Sequence, residues 1–361
     1  MQKKIIKSWI FAKNALNLHP KTRRFSDKVS ESNDNRTRRH PVDLLAGHLF
    51  YIDNMSNQKP RTIEEQFQLL RSRGMAFSNE EKAKQYLAHI SYFRLKYYWS
   101  DMRDEETEHD FKEGASFDNV IARYDFDRNL RLILFDAIEI IEVALRAKII
   151  NHLSQAKDGG LWYLDESLFE RSDYYEDFLL DLKYEFERST EPFAKEYIAK
   201  HTNWDSESIE GDNPDAWMIL EVATFGTLSK MYKNLKSQLP QRATIANEFG
   251  LYSAKELSSW LEAISVLRNI IAHHSRLWNR SLAKQPMNIK GHRDKWLNTP
   301  FTDNQKKKPY GVITAMLYLC NAVYPENQIK AKILSLLDNS KGIPYGRLGF
   351  TGNWRNNPIW K

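Results

Sequence analysis

A single cysteine, Cys320, in 361 residues excludes a disulfide scaffold and any cysteine-based zinc cluster, and it fits a reducing, cytosolic setting. Glycine (14) and proline (12) are scarce, which argues against a loop-rich all-β protein and against linker-like composition. The longest apolar stretch, Gly311–Val323 (GVITAMLYLCNAV), contains Asn321 and is too short to span a bilayer, so it reads as a core helix and no membrane partner is expected. The opening MQKKIIKSWIFAKNAL starts basic, but Lys7 and Lys13 interrupt its apolar run, which makes it a poor signal peptide. The sequence holds no H-E-x-x-H, no D-x-D cluster, no Gly-rich phosphate loop and no G-x-S-x-G. No metal and no cofactor is therefore expected.

Apolar residues make up 42% and charged residues 28%, ample for a buried core, and the length allows one large domain or two or three smaller ones. The net charge is +6, which on its face suggests a nucleic-acid partner. The excess sits wholly in residues 1–54, which hold 11 Lys/Arg and 5 Asp/Glu; residues 55–361 hold 42 of each sign. Any anion-binding surface on the folded body must therefore be local. Lys21–His40 is polar and basic, and the composition predicts a disordered or weakly structured extension over 1–54. It reads as an RNA-contacting arm, as a tail without function, or as upstream sequence preceding a true start at Met55.

From Pro60 onward the pattern is helical, and the chain is expected to be all-α. Thr62-Ile-Glu-Glu65 and Ser78-Asn-Glu-Glu81 fit capping boxes. The second helix is expected to reach about Trp99, and residues 101–116 to form a loop. Phe117–Ser154 reads as a long helix with Leu130, Ile133, Leu134, Ala137, Ile138, Ile141, Leu145 and Ile149 at three- and four-residue steps. Shorter helices are predicted near 173–188, 191–201, 215–224 and 227–237, then one opening at Ser253 and running to Arg280, then 307–323 and 326–338. The architecture expected is a smaller N-terminal helical part (55–110), a main helical bundle (111–340) and an irregular aromatic tail (341–361).

The segment that could carry chemistry is Leu267-Arg-Asn-Ile-Ile-Ala-His-His-Ser-Arg-Leu-Trp-Asn-Arg280. Arg268 and His273 have the R-x(4–6)-H spacing of metal-independent helical ribonucleases of the HEPN type. The spacing alone is weak, since chance gives about two matches in a chain of this composition; Arg146–His152 and Arg103–His109 also match. On a helix continuing unbroken to Arg280, with Arg268 at 0°, Arg276, Asn269, Arg280 and His273 fall within about 80–140°, while His274 falls at about 240° among apolar residues. His273 then faces a polar seam, and His274 reads as a buried structural histidine. Two arginines in one seam with no acidic partner suit a phosphate; the bland alternative is a solvated basic face. Arg146–His152 reads better as a core helix with a surface arginine, and Arg103–His109 as chance in an acidic loop. Tyr92–Trp99 could stack bases, but at helical spacing core packing is the favoured reading.

RNA carries its own nucleophile, the 2′-hydroxyl. Imidazole, with an unperturbed pKa of about 6.5, can take that proton and protonate the leaving oxygen near neutral pH, and Arg268 can stabilise the phosphorane. One histidine cannot serve both sides of the phosphate, so a homodimer that apposes two such helices is part of this reading.

The 267–280 segment resembles the signature of the Abi-like proteins (AbiD/AbiF type), which are associated with abortive infection against phage. Similar blocks occur in order at Pro60–Gly74, Tyr86–Trp99, Tyr124–Arg131, Ile141–Arg146, Trp217–Lys236 and Leu348–Trp360. The resemblance covers about residues 60–360 and implies an HEPN-type helical bundle. It also implies a cytoplasmic endoribonuclease toxin restrained until infection, with catalytic Arg268 and His273. Asn269, His274, Arg276 and Arg280 are then supporting or RNA-binding residues, and a small non-coding RNA is an implied partner. Lys96 departs from the small residue expected before Tyr97-Tyr-Trp99, and residues 1–54 have no family counterpart. Two other readings stay open: a non-catalytic module that holds a structured RNA, and a phage-sensing interaction protein with no nucleic-acid role.

Overall fold

A computed structural model describes residues 59–107, 109–208 and 211–361, nearly all within one unit, Arg61–Lys361. The basic extension and the start at Met55 lie outside the described residues. The architecture is all-α: thirteen α-helices and no strand among the described residues, with only isolated bridges such as Ala76 with Ser116.

Three short helices come first: α1 (Ile63–Ser72), α2 (Glu80–Ile90) and α3 (Tyr92–Leu95). The capping box at Thr62 and Glu65 forms as expected. The second one does not, because Asp118 takes the Ser78 hydroxyl at 2.7 Å, and Asn79 caps α2 instead, its side chain accepting from the Lys82 amide at 2.9 Å. The helix expected to reach Trp99 breaks at Ser91, whose φ is +73°. The break divides the aromatic run: Leu95, Tyr98 and Trp99 are fully buried, whereas Phe93 and Tyr97 face solvent.

The organising element is α4 (Phe117–Ala156), one unbroken helix of 40 residues, about 60 Å long at 1.5 Å per residue. Its periodic apolar positions are buried as the spacing requires, with Ile133 half-buried. Next come α5 (Ser172–Glu187), α6 (Pro192–Lys200), α7 (Ala216–Ile219) and α8 (Phe225–Asn234), then α9 (Pro240–Glu248) and α10 (Ala254–Ala272). The periodicity missed α9, which buries only Ile245 and Ala246. Ser253 is the N-cap of α10, close to the expected opening, and Glu256 in the first turn is buried and accepts from the Lys290 amide at 2.9 Å. Helices α11 (Asp303–Lys307), α12 (Pro309–Val323) and α13 (Ile329–Asn339) complete the set.

Helix α12 packs against α4 and α10 and is buried on every side from Pro309 to Cys320, the signature of a central core helix. Burial pushes the Cys320 thiol up to about 12, which leaves it inert. The tail closes over α12 in short 3-10 turns: Tyr310, Phe350, Trp354 and Trp360 form one aromatic cluster with ring centroids about 5–6 Å apart. Gly349, at φ +94°, permits this approach, since a Cβ there would sit 3.0 Å from the Tyr310 Cβ.

Candidate functional site

Helix α10 stops at Ala272, not at Arg280. The His274 amide donates to the Ile271 carbonyl and the Ser275 amide to the Ile270 carbonyl, both at 2.9 Å. With His274 at φ +53°, this is a Schellman stop, with a histidine where glycine is usual. The helical wheel therefore holds only as far as His273, whose amide still donates to Asn269 at 3.1 Å. His274 is exposed rather than buried, a correction that follows directly from the left-handed turn. Leu277 and Trp278 remain fully buried, but they reach the core from an irregular segment.

Three side chains hold that segment. Asp127, with no exposure in the third turn of α4, accepts from the Trp278 amide at 2.7 Å, the Leu277 amide at 3.0 Å and the Tyr98 hydroxyl at 2.8 Å. Burial pushes its carboxyl up, while Tyr98, Arg131 and the two amides pull it back. Arg131 donates to the His274 carbonyl at 3.0 Å, and Arg94, within α3, donates to the same oxygen. Two guanidinium groups on one carbonyl, and one carboxylate on two successive amides, replace the helical hydrogen bonds that the chain gives up after Ala272.

His273 and Asn269 are exposed at the end of α10. Arg268 is half-buried and shares no hydrogen bond with His273. Its charge acts on Glu142 of α4, whose carboxyl burial pushes up and Arg146 and Arg268 draw down. Arg276 and Arg280 do not line a helical seam. Arg276 folds back to the Trp278 carbonyl with its guanidinium 4.5 Å from the Tyr97 ring centroid, and Arg280 donates to the Arg276 carbonyl at 3.1 Å. The structure thus gathers His273, Asn269 and Arg268 at one helix end, with Arg276 and Arg280 on the adjoining turn. Sequence reasoning did not single out Arg94, Asp127 and Arg131, which shape that turn; their only local signal is charge within otherwise aromatic or apolar blocks.

Arg146 is committed to structure, donating to the Leu220 and Ala223 carbonyls at 2.9 and 3.0 Å. His152 pairs with Glu248 at 2.8 Å, and His109 lies in an exposed loop. Among the described residues no group of three or more His, Cys, Asp or Glu side chains is placed to hold a metal ion, and no helix is long and apolar enough to cross a membrane.

Because His274 serves through its main-chain carbonyl, His274→Gly is expected to leave stability within about 1 kcal/mol of the parent, the relieved left-handed strain offsetting the added freedom of the unfolded chain. Any cleavage activity should change less than severalfold; thermal melting and a cleavage assay on the same sample check both.

The family described as Abi-like protein matches over residues 85–279, more than half of the chain and inclusive of α4, α10 and the turn that follows. No curated protein and no solved structure matches the chain.

Proposed function

The chain belongs to the Abi-like protein family, and from that premise we propose that it is an abortive-infection phage-defence protein acting as a metal-independent, HEPN-type endoribonuclease. The observation that carries this reading is the end of α10: an exposed histidine, an arginine within two turns of it, and a backbone stop locked by Asp127, Arg94 and Arg131. A catalytic imidazole needs both access and a fixed position.

In the proposed reaction the 2′-oxygen of RNA attacks the adjacent phosphorus as His273 takes its proton. The P–O5′ bond breaks, a second His273 protonates the leaving oxygen, and Arg268 neutralises the developing charge. The products are a 2′,3′-cyclic phosphate and a 5′-hydroxyl. The second histidine comes from a second copy of the chain. The solvent face of α4 supports such pairing: Leu132, Phe135 and Val143 are 58%, 51% and 49% exposed along one stripe of the helix, which also holds the exposed charges Arg128 and Glu139. Large exposed apolar residues in one stripe mark an interaction surface.

The test is cleavage of RNA in excess EDTA, with the fragment ends identified. Cyclic-phosphate and 5′-hydroxyl ends from the wild type, lost in Arg268→Ala and in His273→Ala, are the expected result. Binding without cleavage by the wild type would overturn it in favour of a module that only holds RNA.

A further inference from the structure

A second surface adjoins the His273 turn, and its residues are largely unused by the reaction above. Phe93 is 54% and Tyr97 37% exposed, their rings edge to face with centroids 5.9 Å apart. The Lys96 Nζ lies 3.9 Å from the Phe93 ring centroid, and Arg276 stacks on the other side, over Tyr97. Arg280 bonds back to Arg276, and the Lys308 Nζ donates to Asn279 Oδ1 at 3.1 Å.

None of these four cations has a carboxylate within salt-bridge distance among the described residues. The acids near them are engaged elsewhere: Asp101 is taken by Arg123 at 2.6 Å and Arg347 at 3.5 Å, and Asp127, whose charge reaches Arg276, accepts from the Leu277 and Trp278 amides. Burial, and then neighbouring positive charge, lowers Lys96, Arg276 and Lys308 from their ordinary values: Arg103 acts on Lys96, Arg280 on Arg276, and Arg347 and Arg276 on Lys308. Like charges gathered with no carboxylate paired to any of them call for an anion. Two exposed rings among them call for an anion that also has flat apolar faces. Phosphates joined to unstacked bases meet both demands, and a duplex, whose base faces are hidden, does not.

We propose that this face binds single-stranded RNA, with its phosphates on Lys96, Arg276, Arg280 and Lys308 and its bases stacked on Phe93 and Tyr97. The choice of RNA over DNA rests on the ribonuclease reading; the face itself does not. Arg276 follows His273 by three residues, so their Cα atoms lie within about 11 Å, and a strand held here is delivered to the end of α10.

The experiment measures fluorescence anisotropy of an unstructured, labelled oligoribonucleotide against the full chain carrying His273→Ala, which prevents cleavage during titration. Adding Phe93→Ala and Tyr97→Ala should weaken binding about 10-fold or more, with the salt dependence unchanged. Adding Lys96→Gln and Lys308→Gln should lower the slope of log affinity against log salt by about 0.7 for each phosphate that is no longer neutralised. Phe93 and Tyr97 are exposed and Lys96 and Lys308 half-buried, and unchanged thermal melting confirms the fold of each variant. Equal binding by parent and aromatic variant, or no salt-dependent binding by the parent, would overturn the proposal. Equal affinity for DNA of the same sequence would overturn its assignment to RNA. Binding by the His273→Ala chain with no cleavage by the wild type would end the nuclease reading and leave this face standing. Cleavage by the wild type that Phe93→Ala and Tyr97→Ala do not slow at subsaturating RNA would do the reverse.

Discussion

Replacing His273 by alanine is expected to slow RNA cleavage by about 10²–10⁴-fold, the range that a positioned general acid or base supplies, while leaving the melting temperature within a few degrees of the parent. The ring is exposed, and only the main-chain amide of His273 takes part in the helix end. In a dimer with one histidine from each copy on either side of the phosphate, the substitution removes acid and base together, so the upper part of that range applies. A mixed dimer of one wild-type and one His273→Ala copy should fall well below half activity. Cleavage rates of purified wild type, variant and co-expressed mixture, each with the melting curve beside it, check all three expectations. Retained activity in a folded His273→Ala protein would place the chemistry elsewhere.

The second large effect is on stability. Asp127→Ala is expected to cost about 3–5 kcal/mol, because it strands the amides of Leu277 and Trp278 and the Tyr98 hydroxyl away from water and removes the carboxylate partner of Arg131. In a chain of this size that corresponds to a melting temperature roughly 4–8 °C lower. Asp127→Asn keeps the volume but turns an NH₂ group toward donors, so it should also destabilise, though less. Tyr98→Phe removes a single donor and should cost about 1 kcal/mol. If Asp127→Ala melted with the parent, the carboxylate would not be what holds residues 275–278.

The helical elements were largely legible because apolar spacing decides them. Leu130 to Ile149 recur at helical steps and are the buried row of α4. The run Gly311–Val323, apolar on all sides, became the core of the bundle. Local pattern failed where distant groups decide. Nothing near His274 marks a helix stop, since neither glycine nor proline follows; the stop is held by Arg94, Arg131 and Asp127, which lie 180, 143 and about 150 positions away in sequence. Helix α9 was missed because two buried side chains make no period. For the run Tyr92–Trp99 helical spacing favours core packing throughout, but the kink at Ser91 gives Phe93 and Tyr97 to the surface. Of the candidate site, spacing together with the family resemblance nominates Arg268 and His273, but the geometry that presents His273 was not legible in the sequence.

In the proposed dimer, with Leu132, Phe135 and Val143 of α4 at the contact between two copies, activity would be a matter of dosage. Well below the dissociation constant such a paired form would grow as the square of total protein, so doubling expression would quadruple the active species, where an enzyme complete in one copy would only double it. A cell could then carry a small standing amount of this chain without harm and cross into arrest on a modest rise, with the threshold set by the apolar residues of a single helix face.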